Sequence, residues 1–116
     1  MPGDAGSEGG REIWGSTAVD QQRQPARPIA HLAPGEVDLE LAFDERLTQQ
    51  NGYLHAGVVS AALDSACGYA AYTLMEAGAG VLTVEFKINL LAPAAGERFA
   101  ARGRVVRAGR TLTVCR

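Results

Sequence analysis

From Gly57 to Met75 the chain runs through 19 residues with a single charged side chain, Asp64. Burying an ionised carboxylate in such a segment is costly unless the group is paired or at work. A lone acid in that setting suits a general base or a nucleophile. The alternative is structural: Asp64 faces a polar loop or caps a neighbouring element. Just ahead lies Leu54-His55-Ala56-Gly57, where the apolar segment begins. First-turn N–H groups and the positive end of a helix dipole favour an oxygen carrying negative charge, which is what an oxyanion hole requires. Every helix has such an end, so this signal is weak alone, and Gly57 equally suits packing. Thr83, beyond the segment, adds a hydroxyl, although threonine is an ordinary strand residue. From Arg98 to Arg116 there are six arginines and no acid, which makes either a solvated strand face or a surface for phosphate.

The elements that must position these groups follow from periodicity. Pro34-Gly35 signals a turn, and Glu36 to Phe43 alternates without a break, predicting a half-buried strand with Val37, Leu39, Leu41 and Phe43 towards the core. A polar loop closes at Asn51-Gly52. Gly57 to about Ala77 reads as one helix, apolar on nearly all faces and therefore buried, stopped by Gly78 and Gly80. The period returns to two in Leu82 to Leu90, predicting a strand with Val84, Phe86, Ile88 and Leu90 on one face. Further strands are expected from Phe99 to Arg107 and from Thr111, joined by a tight connection at Ala108-Gly109. The fold class is α+β: an antiparallel sheet around one long buried helix. A sheet this small cannot cover a helix on every side, so a second subunit is expected to complete the burial.

Composition narrows the function. With 116 residues there is room for one domain. Residues 1–28, rich in Gly, Gln, Pro and Arg, read as a disordered leader, and residues 29–116 as the folded domain. The net charge of −2 gives no reason to expect a nucleic-acid partner. Two histidines, His31 and His55, and two cysteines without metal-type spacing argue against a metal site or a disulfide framework. The N-terminus has acids and glycines where a signal peptide needs a basic start and an apolar run, so a cytoplasmic location is the default. A membrane span is disfavoured by Asp64 and the small polar residues around it.

Three stretches together resemble the PaaI-like hotdog-fold acyl-CoA thioesterases, in the superfamily of 4-hydroxybenzoyl-CoA thioesterase: Leu54-His55-Ala56-Gly57, Leu63-Asp64-Ser65-Ala66, and Thr83-Val84-Glu85-Phe86-Lys87-Ile88-Asn89-Leu90-Leu91-Ala92-Pro93. Gly103 to Arg110 also looks like that family's strand and hairpin. The similarity runs from about Ile29 to Arg116. It implies hydrolysis of an acyl-CoA thioester, with CoA as part of the substrate and no separate cofactor or metal. Carried over, Asp64 takes the acidic position, activating water or attacking the carbonyl. The Ala56 N–H at the helix entrance with Gly57 polarises that carbonyl. Gln49 lies near the acyl group and water, with Asn51 competing for that role, and Thr83 bonds the water or Asp64. His55 shapes the loop, while Arg104, Arg107 and Arg110 are candidates for the CoA phosphates. The resemblance further implies dimers or tetramers with the site at the dimer interface. The family continues past Arg116, so the domain is expected to be incomplete at its C-terminal strands. A non-catalytic acyl-CoA-binding module is the alternative.

Overall fold

The computed structural model describes residues 28–116; apart from Pro28, the expected leader lies outside them. Strand β1 (Ile29–Ala33) turns at Pro34-Gly35 into β2 (Glu36–Ala42). Gly35 has φ of 75°, a left-handed conformation that a side chain would strain. Strand β2 pairs antiparallel with β3 (Arg98–Ala108) from Glu36↔Arg104 to Ala42↔Arg98. Strand β3 pairs in turn with β4 (Thr113–Cys115). The resulting sheet is antiparallel and four-stranded, in the order β1-β2-β3-β4. One helix, α1 (Ala56–Tyr72), packs against it, giving the expected α+β hotdog architecture.

Alternation in β2 turns Val37, Leu39 and Leu41 inward. Across from them, Val58, Ala62, Ala66 and Ala70 recur every fourth residue and form the buried stripe of α1. Small side chains let the helix lie close to the strands. The approach is tightest at Gly103, where the helix backbone occupies the space a Cβ would need. A second cluster, Leu41, Leu54 and Val58, with Leu47 and Phe99 against it, anchors the start of the helix.

Four expectations need correction. Ile29–Ala33 is a strand the alternation did not announce, because a five-residue edge carries too few apolar positions to show a period. Phe43 is 37% exposed, since β2 ends at Ala42 and the chain leaves the sheet there. The helix stops at Tyr72 rather than near Ala77. The Thr73 hydroxyl donates to Ala70 O at 2.6 Å and accepts from the Gly35 N–H at 2.6 Å, pinning the helix end to the β1–β2 turn. Leu82 to Leu90 has the alternation of a strand but pairs with none of the described residues. Val84 and Phe86, expected in the core, are 74% and 58% exposed.

The helix is also less enclosed than its composition suggested. The sheet covers only the alanine stripe, and Tyr69 and Tyr72 remain exposed. No helix among the described residues is long and apolar enough to cross a membrane.

Candidate active site

The approach to α1 is organised by its own polar groups. Asp44 caps a short 3₁₀ turn, Glu45–Leu47, accepting from the Arg46 N–H at 2.9 Å. The Arg46 guanidinium grips the same carboxylate at 2.7 Å, and these bonds lower the Asp44 pKa to about 2. The loop then closes through a bridge between Thr48 and Leu54. Within it, Gln49 Oε1 accepts from the N–H of Asn51 at 2.5 Å and of Tyr53 at 3.3 Å. The Gln49 carbonyl is thereby committed to the loop, leaving its amide N–H₂ to meet a ligand.

His55 is the N-cap of α1. Its Nδ1 accepts from the Gly57 N–H at 3.0 Å, so in the neutral ring the proton resides on Nε2. This bears on the two expected donors. The Gly57 N–H is already occupied, whereas the Ala56 N–H has no acceptor among the described residues and Ala56 is exposed. Gly57 therefore supports the cap, and Ala56 is the donor that can reach an incoming carbonyl. A cavity of about 650 Å³ opens there, with Gln49, Asn51, His55 and Ala56 on one side and Leu90 and Pro93 on the other.

Asp64 sits two turns further on and is half-buried rather than buried. Thr83 donates to Asp64 Oδ1 at 2.7 Å, pinning the segment after the helix to the carboxylate. Eight residues of α-helix separate Ala56 from Asp64, a rise of ~12 Å and a rotation of roughly 80°. One chain thus brings Thr83 to Asp64, and Gln49, Asn51 and His55 to Ala56. It does not bring the two groups together.

None of the three candidate arginines borders the Ala56 cavity. Arg104 donates to Asp38 Oδ1 at 2.7 Å and to its own neighbour Gly103 O at 2.8 Å. That contact holds the Asp38 carboxyl below its ordinary pKa and raises the Arg104 guanidinium. Arg104 and Arg116 line a different groove, beside Leu74 and the β1–β2 turn. Arg107 and Arg110 are exposed at the β3–β4 end. Among the described residues there is no cluster of three or more potential metal ligands.

Asp38 was missed, although it stands directly opposite Arg102 across β2 and β3, with Arg104 reaching it from the same strand. Its solvent-side place in the β2 alternation was the available signal. Leu90 and Pro93 carry strand and turn signals in the sequence, and only the path of the chain reveals that they wall the cavity.

Residues 51–116 match the family model described as the Thioesterase superfamily. A solved thioesterase family protein from Silicibacter pomeroyi is similar at 53% identity and a TM-score of 0.78, over 92% of this chain and 79% of that one. The E. coli PaaI protein from the phenylacetic acid degradation operon shares the fold at 17% identity and a TM-score of 0.68, over 86% of this chain and 75% of that one. Among curated proteins, a candidate esterase of Saccharolobus solfataricus is 36% identical over 74% of this chain. The chain spans 61% of that relative's length.

Proposed function

Because the chain belongs to the thioesterase superfamily, we propose that it hydrolyses an acyl-CoA thioester to the free acid and CoA, with Asp64 as the catalytic carboxylate. The observation that carries this reading is the 2.7 Å hydrogen bond from Thr83 to Asp64 on an otherwise uncharged helix. An acid held in place by a hydroxyl is oriented to take a proton from water, or to attack the carbonyl itself. The thioester oxygen accepts from the Ala56 N–H at the positive end of α1, where charge on the tetrahedral intermediate is stabilised. Collapse of that intermediate breaks the C–S bond and releases the thiolate of CoA. The Gln49 amide N–H₂, with Asn51 beside it, orients the water or the acyl group. No metal or separate cofactor takes part.

The ~12 Å helical rise between Ala56 and Asp64 is too long for one carbonyl to meet both groups. The working site therefore combines Ala56 of one copy with Asp64 of another, and the protein acts as a dimer, alone or paired into a tetramer. Arg107 and Arg110, exposed and rich in donors, are the better candidates for the CoA phosphates, because Arg104 is engaged by Asp38.

Asp64→Asn tests the assignment. It keeps a shape that accepts the Thr83 bond and removes the base or nucleophile, so kcat on an acyl-CoA panel falls by ~10²-fold or more. Substrate binding and the folded state persist. Wild-type turnover, or unfolding without a selective loss of kcat, refutes the role.

A further inference from the structure

Cys67 and Cys115 lie 48 positions apart and form no disulfide framework as a sequence, yet the fold brings them together. Cys67 is on α1, one turn beyond Asp64 and beside the alanine stripe that packs on the sheet. Cys115 is on β4, where Thr113 and Cys115 turn inward and Val114 stays exposed. The bare backbone of Gly103 closes the remaining gap. A Cβ there would stand 2.8 Å from the Cys67 nitrogen, and Val105, two residues along β3, pairs with Cys115. Helix, β3 and β4 therefore converge on one spot. There the Cys115 thiol donates to the Cys67 carbonyl oxygen at 3.5 Å. Both thiols are free and half-buried.

We propose that Cys67 and Cys115 are a dithiol pair that a peroxide converts to an intramolecular disulfide, stapling the part of α1 that carries Asp64 to β4. Each cysteine has one side-chain torsion, so little more than its rotation brings sulfur to sulfur. The chemistry takes two steps. The Cys115 thiolate attacks one peroxide oxygen: an S–O bond forms, the O–O bond breaks, and hydroxide leaves to take up a proton as water. The Cys67 thiolate then attacks the sulfenic sulfur: the S–S bond forms, the S–O bond breaks, and a second water departs. Two thiols lose two electrons and two protons, and one peroxide becomes two waters.

The order of attack follows from the surroundings of each sulfur. Burial raises both thiols above their ordinary 9.0, and negative charge at Cys115 and Asp64 raises Cys67 further. At Cys115 the neighbouring Cys67 thiol opposes the effect of burial. Cys115 therefore ionises more readily and attacks first, with Cys67 as the resolving thiol. Because burial keeps both thiols protonated, the pair withstands brief exposure and closes under sustained oxidant.

Hydrogen peroxide applied to the full chain tests the pair. After free thiols are alkylated, a non-reducing peptide map should recover Cys67 joined to Cys115, and non-reducing electrophoresis should show a single-chain band. The closed loop should raise Tm by roughly 10 °C, and dithiothreitol should reverse the rise. In Cys67→Ala or Cys115→Ala the rise disappears, and peroxide adds oxygen to the cysteine that remains. Sulfinic or sulfonic acid as the main wild-type product overturns the proposal. So does a cross-link between two chains, or a Cys67–Cys115 disulfide that leaves Tm unchanged. If an alanine variant fails to fold, the wild-type map and melt still decide. None of these readouts measures turnover, so the result stands apart from the acyl-CoA reading.

Discussion

Replacing Gly103 by alanine would set a methyl carbon 2.3 Å from the Ala66 carbonyl oxygen, 2.5 Å from the Ala66 carbonyl carbon and 2.8 Å from the Cys67 nitrogen. All three are backbone atoms of α1, so no rotamer change relieves the contact. Ordinary carbon–oxygen contacts lie beyond 3 Å, and the helix must retreat from β3 by nearly an ångström or the strand must bend away. Either movement loosens the Ala62, Ala66 and Ala70 stripe from Val37, Leu39 and Ala101, which form one packed cluster. Overpacking of this kind costs about 1–3 kcal/mol, and the rigidity of the obstructing atoms puts this case at the upper end, ~3 kcal/mol. Urea denaturation followed by circular dichroism measures the loss, expected as a lowered midpoint at unchanged slope. Gly68→Ala is the matched control. Gly68 lies on the same helix, but a Cβ added there would meet nothing within 4 Å. Alanine there should stabilise the helix by up to about 1 kcal/mol. If Gly103→Ala is as stable as the wild type, or Gly68→Ala suffers equally, then the close approach of helix and sheet is not what the glycine secures. Asp64 rides on the same helix, so Gly103→Ala should also lower kcat.

Thr83→Val keeps the shape and removes the donor to Asp64; kcat should fall by roughly 10-fold, the worth of one hydrogen bond to a charged group, with global stability little changed. A pre-steady-state assay showing full activity would detach Thr83 from the mechanism. The Asp38–Arg104 pair ties β2 to β3, and the Asp38 side chain is only 18% exposed. Its pKa is lowered in the folded state, chiefly by the hydrogen bond from Arg104, so its contribution is present above the unfolded pKa and lost as pH falls through the lower folded value. Thermal melts from pH 6 to pH 3 should therefore show the wild type losing more stability than Asp38→Asn, with the difference developing below the ordinary carboxylate value of 3.8. Parallel losses in the two proteins would count against the linkage.

Local signals carried much of this protein. A strict alternation over Glu36 to Phe43 located β2 almost to its ends, because one face is buried and the other wet. An apolar run with one acid located the helix and its only charged residue, since the cost of desolvating a carboxylate makes such a residue conspicuous in any context. The start of the apolar run placed the helix entrance at Leu54-His55-Ala56-Gly57, and the His55 cap itself emerged only in the structure. Which partner each polar group takes could not be read in the same way, because it depends on the folded geometry rather than on residue type and spacing. The His55 ring takes the Gly57 N–H and leaves that of Ala56 open. Arg104 turns to Asp38, a contact spanning 66 positions. The helix is shorter than its composition allowed because Thr73 bonds a turn 38 residues away. Burial was the property local pattern misjudged most. Alternation predicts that one face of Leu82 to Leu90 is hidden, but it carries no information about which surface does the hiding. The tertiary structure shows that the sheet formed by the described residues does not supply that surface, and that Ala56 and Asp64 stand two turns apart on one rigid helix, a separation fixed by backbone geometry.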